Sequence, residues 1–266
     1  PSKAVQGAVT ALEKATALDP QRATTHNNLG NAHLTLAEYQ LARGADAERA
    51  LTKADASYRK ALELHHPYSP YNLAWTQRSL ALAHFQAGRD PGPALASARS
   101  YLVQARTLNP NDADVFLEEG RVELLAGRRE ASQNRSPANR LAAAQSALRR
   151  ATALNPEGAE IVFTKALVEL QRADWDLTRN PREAAAAIRR GLALADQALA
   201  LRPGEGTYLA AAGALHQRAA RLATDAALRR QRAAQAVQSL EKALAANPLL
   251  AREFGPDLAE ARRSSS

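Results

Sequence analysis

Apolar residues along this chain recur every three or four positions and hardly ever alternate, the pattern of amphipathic helices rather than strands. The pattern itself repeats. EKATALDP (13–20), RKALELHHP (59–67), VQARTLNP (103–110), RRATALNP (149–156), DQALALRP (196–203) and EKALAANP (241–248) all end on a proline. Those prolines, at 20, 67, 110, 156, 203 and 248, lie 47, 43, 46, 47 and 45 residues apart. Each closes a helix that it cannot continue.

Counting back from each proline gives a stripe at helical spacing: Ala8/Leu12/Ala15, Ala54/Tyr58/Ala61, Ala98/Leu102/Ala105, Ala144/Leu148/Ala151, Gly191/Ala195/Ala198 and Ala236/Leu240/Ala243. Spacings of four and three put each set on one helix face, where small residues flanking a larger one let a second helix approach closely. The preceding helices align too, as LGNAHL (29–34), LALAHF (80–85), EGRVEL (119–124), KALVEL (165–170) and AGALHQ (212–217). Gly30, Gly120 and Gly213 share a register slot with Ala81 and Ala166. A helical glycine costs up to ~1 kcal/mol relative to alanine, so its recurrence at one slot predicts a close helix contact there.

The Leu29-Gly30 pair and the Ala, large, Ala stripe with its terminal proline resemble the tetratricopeptide repeat. That resemblance covers nearly the whole chain and implies an all-α, right-handed superhelical solenoid of antiparallel helix pairs. The family's usual period is about 34 residues, whereas the intervals here center on 45. HEAT and armadillo arrays share the longer period but not this framework. The extra length is expected in longer helices and in a longer connection within each pair, seen in 41–51, 86–96 and 177–187. A fourth connection, 125–142, is expected to be longer still and mobile. One array over 1–266 is expected: an orphan helix 5–18, pairs near 22–66, 70–109, 112–155, 158–202 and 205–247, and a capping segment 249–263 broken near Gly255-Pro256. Ser264–Ser266 should fray. The orphan helix leaves one face bare, which fits either coverage by upstream residues or head-to-tail stacking of copies into filaments.

The connections of the type GRDPGPAL and the closing stretch NPLLAREFGPDLAEARR (247–263) are similar to the repeat tails of certain bacterial serine/threonine protein kinases. That likeness implies a regulatory C-terminal tail, not a kinase.

Composition changes this picture little. The chain is Ala- and Leu-rich, carries a net charge of +8 and has only six lysines among its 35 basic residues. A basic balance fits nucleic acid or an acidic partner. Yet the arginines are scattered without interleaved aromatics, as an Arg-rich protein of a GC-rich bacterium would have them, so nucleic-acid binding through arginine ranks third among the readings. The absence of cysteine excludes disulfides and thiol chemistry and suits a reducing, cytoplasmic compartment, or an extracytoplasmic one if a membrane span lies upstream. No run of ~18 apolar residues and no charged-then-apolar leader is visible. No methionine is present, so Pro1 is expected to be a processing product or the start of a fragment.

Catalytic chemistry finds no foothold. His33, His84 and His216 share one repeat slot with Glu123 and Glu169, a structural register rather than a set of metal sites. GRDPGP (88–93) lacks the Lys-Ser/Thr of a phosphate loop, and no nucleophile elbow, HExxH or kinase catalytic loop occurs. No enzyme activity, metal or cofactor is expected. What the resemblance does imply is a partner protein or peptide bound on the inner face lined by first helices. Carried over residue by residue, that face offers Asn27, Asn31, Trp75, Arg78, Phe85, Leu117, Arg121, Phe163 and Leu167. Trp75 with Arg78 is the leading anchor pair, since Trp and Arg dominate binding hot spots; the competing reading has Trp75 packed between helices. The basic clamp by which chaperone-binding relatives hold C-terminal carboxylates is not reproduced, because Ser79, Asp114 and Glu118 follow instead. The primary expectation is therefore an interaction scaffold, with end-to-end self-assembly as the alternative.

Overall fold

Helix-ending residues set the frame of this molecule. The structure, a computed structural model, describes residues 2–265. Among the described residues, twelve α-helices run α1 (Ser2–Leu18), α2 (Ala23–Ala42), α3 (Glu48–Glu63), α4 (Ser69–Gln86), α5 (Gly92–Leu108), α6 (Ala113–Ser132), α7 (Ala138–Leu154), α8 (Ala159–Asp176), α9 (Pro181–Leu201), α10 (Gly206–Leu222), α11 (Ala226–Ala246) and α12 (Ala251–Ser265). A 3-10 turn, Pro248–Leu250, precedes α12, and no strand occurs among the described residues. None of these helices is long and apolar enough to cross a membrane.

Three of the first helices stop in one way, whereas α8 and α10 are capped at Leu177 and Ala223 without a left-handed residue. Gly44, Gly88 and Asn134 follow α2, α4 and α6 with φ of 69°, 71° and 54°. In that left-handed conformation the next N–H turns back: those of Ala45, Arg89 and Arg135 donate to the carbonyls of Gln40, His84 and Glu130 at 2.9, 2.8 and 2.9 Å. Such a cap satisfies the last carbonyls of the helix. The expected long, mobile connection at 125–142 is therefore corrected. α6 continues to Ser132, and the connection is Gln133–Pro137, matching Arg43–Ala47 and Ala87–Pro91 in length. Asn134 tolerates the left-handed position that glycine holds elsewhere.

The packing falls into two units, 1–129 and 130–266. Within the first, α1 leans on α2, the pairs α2/α3 and α4/α5 follow, and α6 up to Arg129 closes the series. The second holds the last turn of α6, then α7, the pairs α8/α9 and α10/α11, and α12.

The small-large-small stripes form the cores. Ala54, Tyr58 and Ala61 are fully buried, as are Ala144, Leu148 and Ala151 and also Ala236, Leu240 and Ala243; Leu102, between buried Ala98 and Ala105, is 2% exposed. Burying each leucine contributes roughly 1.5–3 kcal/mol, and the alanines set how near the neighboring backbone comes. The glycine slot behaves as its recurrence predicts. A Cβ on Gly30 would lie 2.5 Å from the Tyr58 ring, and one on Gly213 would lie 2.6 Å from Leu240 Cγ. α1 departs from this pattern. Ala8 is exposed, Leu12 and Ala15 are half-buried, and Leu18 is 87% exposed, because among the described residues no helix covers this side of the stripe.

The closing segment differs from the expected broken helix. α12 runs without interruption through Pro256 and includes Ser264 and Ser265; Ser266 lies outside the described residues. A proline disfavors helical backbone at the preceding residue by striking its Cβ. Gly255 has no Cβ, so the helix passes. Leu258 then buries against Ala210, Leu240 and Ala243, with Phe254 and Leu250 alongside, and Ala261 is fully buried. Arg218 on α10 binds Asp257 at 2.5 Å and Asp174 at 2.7 Å, fixing α12 from a second side.

Candidate functional site

In the first unit, polar residues of the first helices α2 and α4 converge on a groove. It measures about 430 Å³ and lies along α2 and α4, lined by Asn27, Asn31, Leu34, Thr35, Glu38, Tyr68, Tyr71, Asn72 and Trp75.

Its floor is an amide pair: Asn72 Nδ2 donates to Asn27 Oδ1 at 2.7 Å, and both residues are buried. The two lie one repeat apart. Beside them Tyr58, reaching up from α3, donates its hydroxyl to Asn31 Oδ1 at 2.7 Å. This contact fixes the Asn31 amide so that its NH₂ group is left to donate outward. Asn31 itself is exposed.

One wall is aromatic. Tyr71 and Trp75, one turn apart on α4, meet edge to face with ring centroids 6.1 Å apart, and Tyr68 is 52% exposed at the start of that helix. Trp75 is half-buried: its ring packs on the Leu34/Leu41/Leu51 cluster and its Nε1 donates to Glu38 Oε1 at 2.7 Å. It thus both packs between helices and lines the groove. Burial pushes the Glu38 carboxyl above its ordinary value, against the smaller opposing influences of Arg78 and the Trp75 hydrogen bond.

Arg78 stands just outside. It binds Glu118 of α6 at 2.5 Å, and Glu118 is fully buried. Arg121 Nη1 lies 4.0 Å from the other Glu118 oxygen. Burial alone lowers the Arg78 pKa, but Glu118 and Glu38 together turn the net shift upward. Both arginines are therefore drawn to a built-in acid.

Of the residues named from the sequence, the groove gathers Asn27, Asn31 and Trp75. Leu117 is 5% exposed, and Phe85 is half-buried outside the groove. Phe163 and Leu167 belong to the second unit, both half-buried; Phe163 stacks on Tyr208 with centroids 4.5 Å apart. Glu38, Tyr68, Tyr71 and Asn72 line the groove and were not singled out. A signal for Asn72 existed, since it stands 45 residues after Asn27, one repeat interval. Glu38 had none, because only the contact between α2 and α4 brings it to Trp75.

The shared slot of His33, His84, Glu123, Glu169 and His216 resolves into five separate places. Glu123 accepts from Arg99 at 2.5 and 3.1 Å, and Glu169 from Arg190 and Gln145 at 2.9–3.0 Å. His84 lies 3.8 Å from Glu48. Burial holds His33 and His216 below the ordinary histidine value. The slot is filled by whatever suits its neighbor. No cluster of three or more potential metal ligands is found among the described residues.

Comparison with known proteins places the fold. A TPR repeat model matches residues 4–36. No curated protein matches the chain. The crystal structure of TTC0263, a thermophilic TPR protein of Thermus thermophilus, is similar over 88% of this chain and 99% of that one, with a TM-score of 0.57 and 19% identity. Human IFIT1, solved as a dimer with PPP-AAAA, is similar over 99% of this chain and 68% of its own, with a TM-score of 0.57 and 14% identity. At such identities these likenesses establish a TPR-like solenoid fold and no more. Folds of this kind generally mediate protein–protein interaction.

Proposed function

We propose that this chain is an interaction scaffold that holds an extended peptide of a partner protein in the α2/α4 groove. The observation behind this reading is the convergence there of an oriented, exposed Asn31 amide with a half-buried tryptophan and two tyrosines. A side-chain amide held by Tyr58 grips peptide backbone without regard to sequence. Rigid aromatics supply contact area at low entropic cost. No residue here is arranged as a nucleophile beside a base, so the chemistry on offer is recognition.

The setting we propose is a regulatory, cytoplasmic tail of a bacterial signaling kinase. Its support is the GRDPGPAL style of the connections and the closing 247–263 stretch. The coding sequence upstream of Pro1 tests it: a kinase domain there is expected, and an unrelated domain sinks the tail proposal.

Groove binding is tested separately. A displayed library of random peptides is selected against the folded chain, and the winners are re-measured on Trp75→Ala and Asn31→Ala. Losses of about tenfold or more are expected, as for central anchors. Selected peptides that bind both variants as well as the parent would place recognition elsewhere.

Self-assembly has one observation in its favor, the uncovered stripe of α1. Sedimentation decides between the two: a scaffold keeps a constant mass, while an end-to-end array grows with concentration.

A further inference from the structure

The acids of the first unit are treated unequally. Glu118, Glu119 and Glu123 each have an arginine of their own: Arg78 at 2.5 Å, Arg106 at 3.3 Å and Arg99 at 2.5 Å. Glu38 has none. It gives one oxygen to the Trp75 indole, its second oxygen has no partner among the described residues, and the side chain lines the groove. Arg78 and Arg121 act on this half-buried carboxylate only from beyond ion-pair distance, and burial still outweighs them, so a cation in direct contact would stabilize it.

We infer that the groove's occupant places a lysine on Glu38, its ammonium on the free carboxylate oxygen and its stem across Tyr71 and Trp75. The inference rests on the groove reading above and makes it specific.

Three features argue for a cation. Glu38 shares its surroundings with the carboxylate of Glu118, and the neighboring Tyr71 feels Asp114 as well, so acids gather here, opposed by Arg78 and Arg121, inside a chain of net charge +8. Arg78 makes its ion pair with Glu118 and Arg121 comes within 4.0 Å of the same acid, so their influence on Glu38 stays long-range. Lastly, the edge-to-face pair of Tyr71 and Trp75, with exposed Tyr68 beside it, offers ring faces to a cation and apolar surface to its methylenes.

The choice of lysine over arginine follows from the Trp75 hydrogen bond. Arginine recognizes a carboxylate best through two parallel N–H···O bonds, which need both oxygens. Here one oxygen is committed to Trp75 at 2.7 Å. A compact ammonium needs only the other. Asn31, two turns nearer the start of α2, is placed to donate its free NH₂ to a backbone carbonyl of the same peptide.

The test begins with peptides selected from a displayed random library against the whole chain. The best of them are synthesized with labels, and their affinities are measured by fluorescence anisotropy. Lysine is expected to recur among them. Its replacement by norleucine, which keeps the stem and removes the charge, should weaken binding by about tenfold on the parent chain and leave it nearly unchanged on Glu38→Gln. Arginine at that position should bind less well than lysine. Circular dichroism confirms that each variant is folded. Peptides lost on Asn31→Ala and Trp75→Ala but lacking a critical lysine, or showing the same lysine preference on Glu38→Gln, overturn the inference and leave the groove reading standing. Selected peptides indifferent to Asn31→Ala and Trp75→Ala, or a library that yields none, overturn both.

Discussion

Gly30→Ala should destabilize the first unit, although by helix propensity alone it ought to help. Alanine gains about 1 kcal/mol over glycine in a helix interior. Against that stands the space. The new Cβ would sit 2.5, 2.6 and 2.8 Å from three atoms of the Tyr58 ring, closer than carbon atoms pack. Tyr58 has no room to withdraw: it is fully buried between Ala54 and Ala61, and its hydroxyl is tied to Asn31 at 2.7 Å. Overpacking of this kind costs roughly 1–3 kcal/mol, and a ring pinned at both ends belongs in the upper part of that range. The net effect is a loss of about 1–2 kcal/mol. Gly7→Ala is the internal control, because nothing lies within 4 Å of its Cβ and the same exchange should stabilize by about 0.5–1 kcal/mol. The molecule has two tryptophans, Trp75 in the first unit and Trp175 in the second, so a Trp175→Phe background lets Trp75 fluorescence follow urea unfolding of the first unit. A lowered midpoint at constant slope reports the loss. Leucine occupies the Tyr58 position opposite Ala81, as Leu102 of the same cluster. The Gly30→Ala penalty should accordingly vanish in a Tyr58→Leu background. Equal stabilization by Gly30→Ala and Gly7→Ala would refute the argument from close approach, and an undiminished penalty in the Tyr58→Leu background would refute the assignment to the tyrosine ring.

Further predictions concern charge and the closing helix. Glu118→Ala leaves Arg78 with its binding partner gone, and Glu118 is fully buried; the expected cost is about 3 kcal/mol by urea titration, with the Arg78→Met/Glu118→Met pair recovering most of it. His216 is held below the ordinary value of 6.5 first by burial and then by Arg232, with Asp196 opposing. Its contribution is thus complete above 6.5 and is lost as pH falls from there toward the depressed folded value. The urea midpoint followed by Trp175 should drop over that window in the parent and stay flatter in His216→Gln. Arg218→Met removes the contacts to Asp174 and Asp257 at 2.7 and 2.5 Å, so amide protection across 251–265 should fall by about tenfold or more while α8 and α9 keep theirs.

What the sequence by itself determined is the one-dimensional part of this protein. Stripes such as Ala98/Leu102/Ala105 and the terminal prolines are local signals, read within a turn or two of helix. They settled the helical class, the register of each second helix and the close approach at Gly30 and Gly213. Where a local signal was ambiguous, the outcome depended on one neighbor. Pro256 reads as a break until Gly255 removes the Cβ it would strike, and 125–142 reads as loose until Asn134 takes the left-handed turn that Gly44 and Gly88 mark openly. The site was legible only in part. Asn27, Asn31 and Trp75 were named because the resemblance to the repeat family implies groove-facing positions beside the Leu-Gly stripe. Register does not say which neighbor covers a residue, so it could not tell that Leu117 sinks into the packing while Asn31 stays open. Glu38 meets Trp75 across 37 residues and Arg78 meets Glu118 across 40, and such pairs exist only once one helix is laid against the next. The tertiary structure alone decided which acid is already matched with an arginine and which is left facing the groove. Burial and pairing are properties of the space between helices, and no single helix carries them in its sequence.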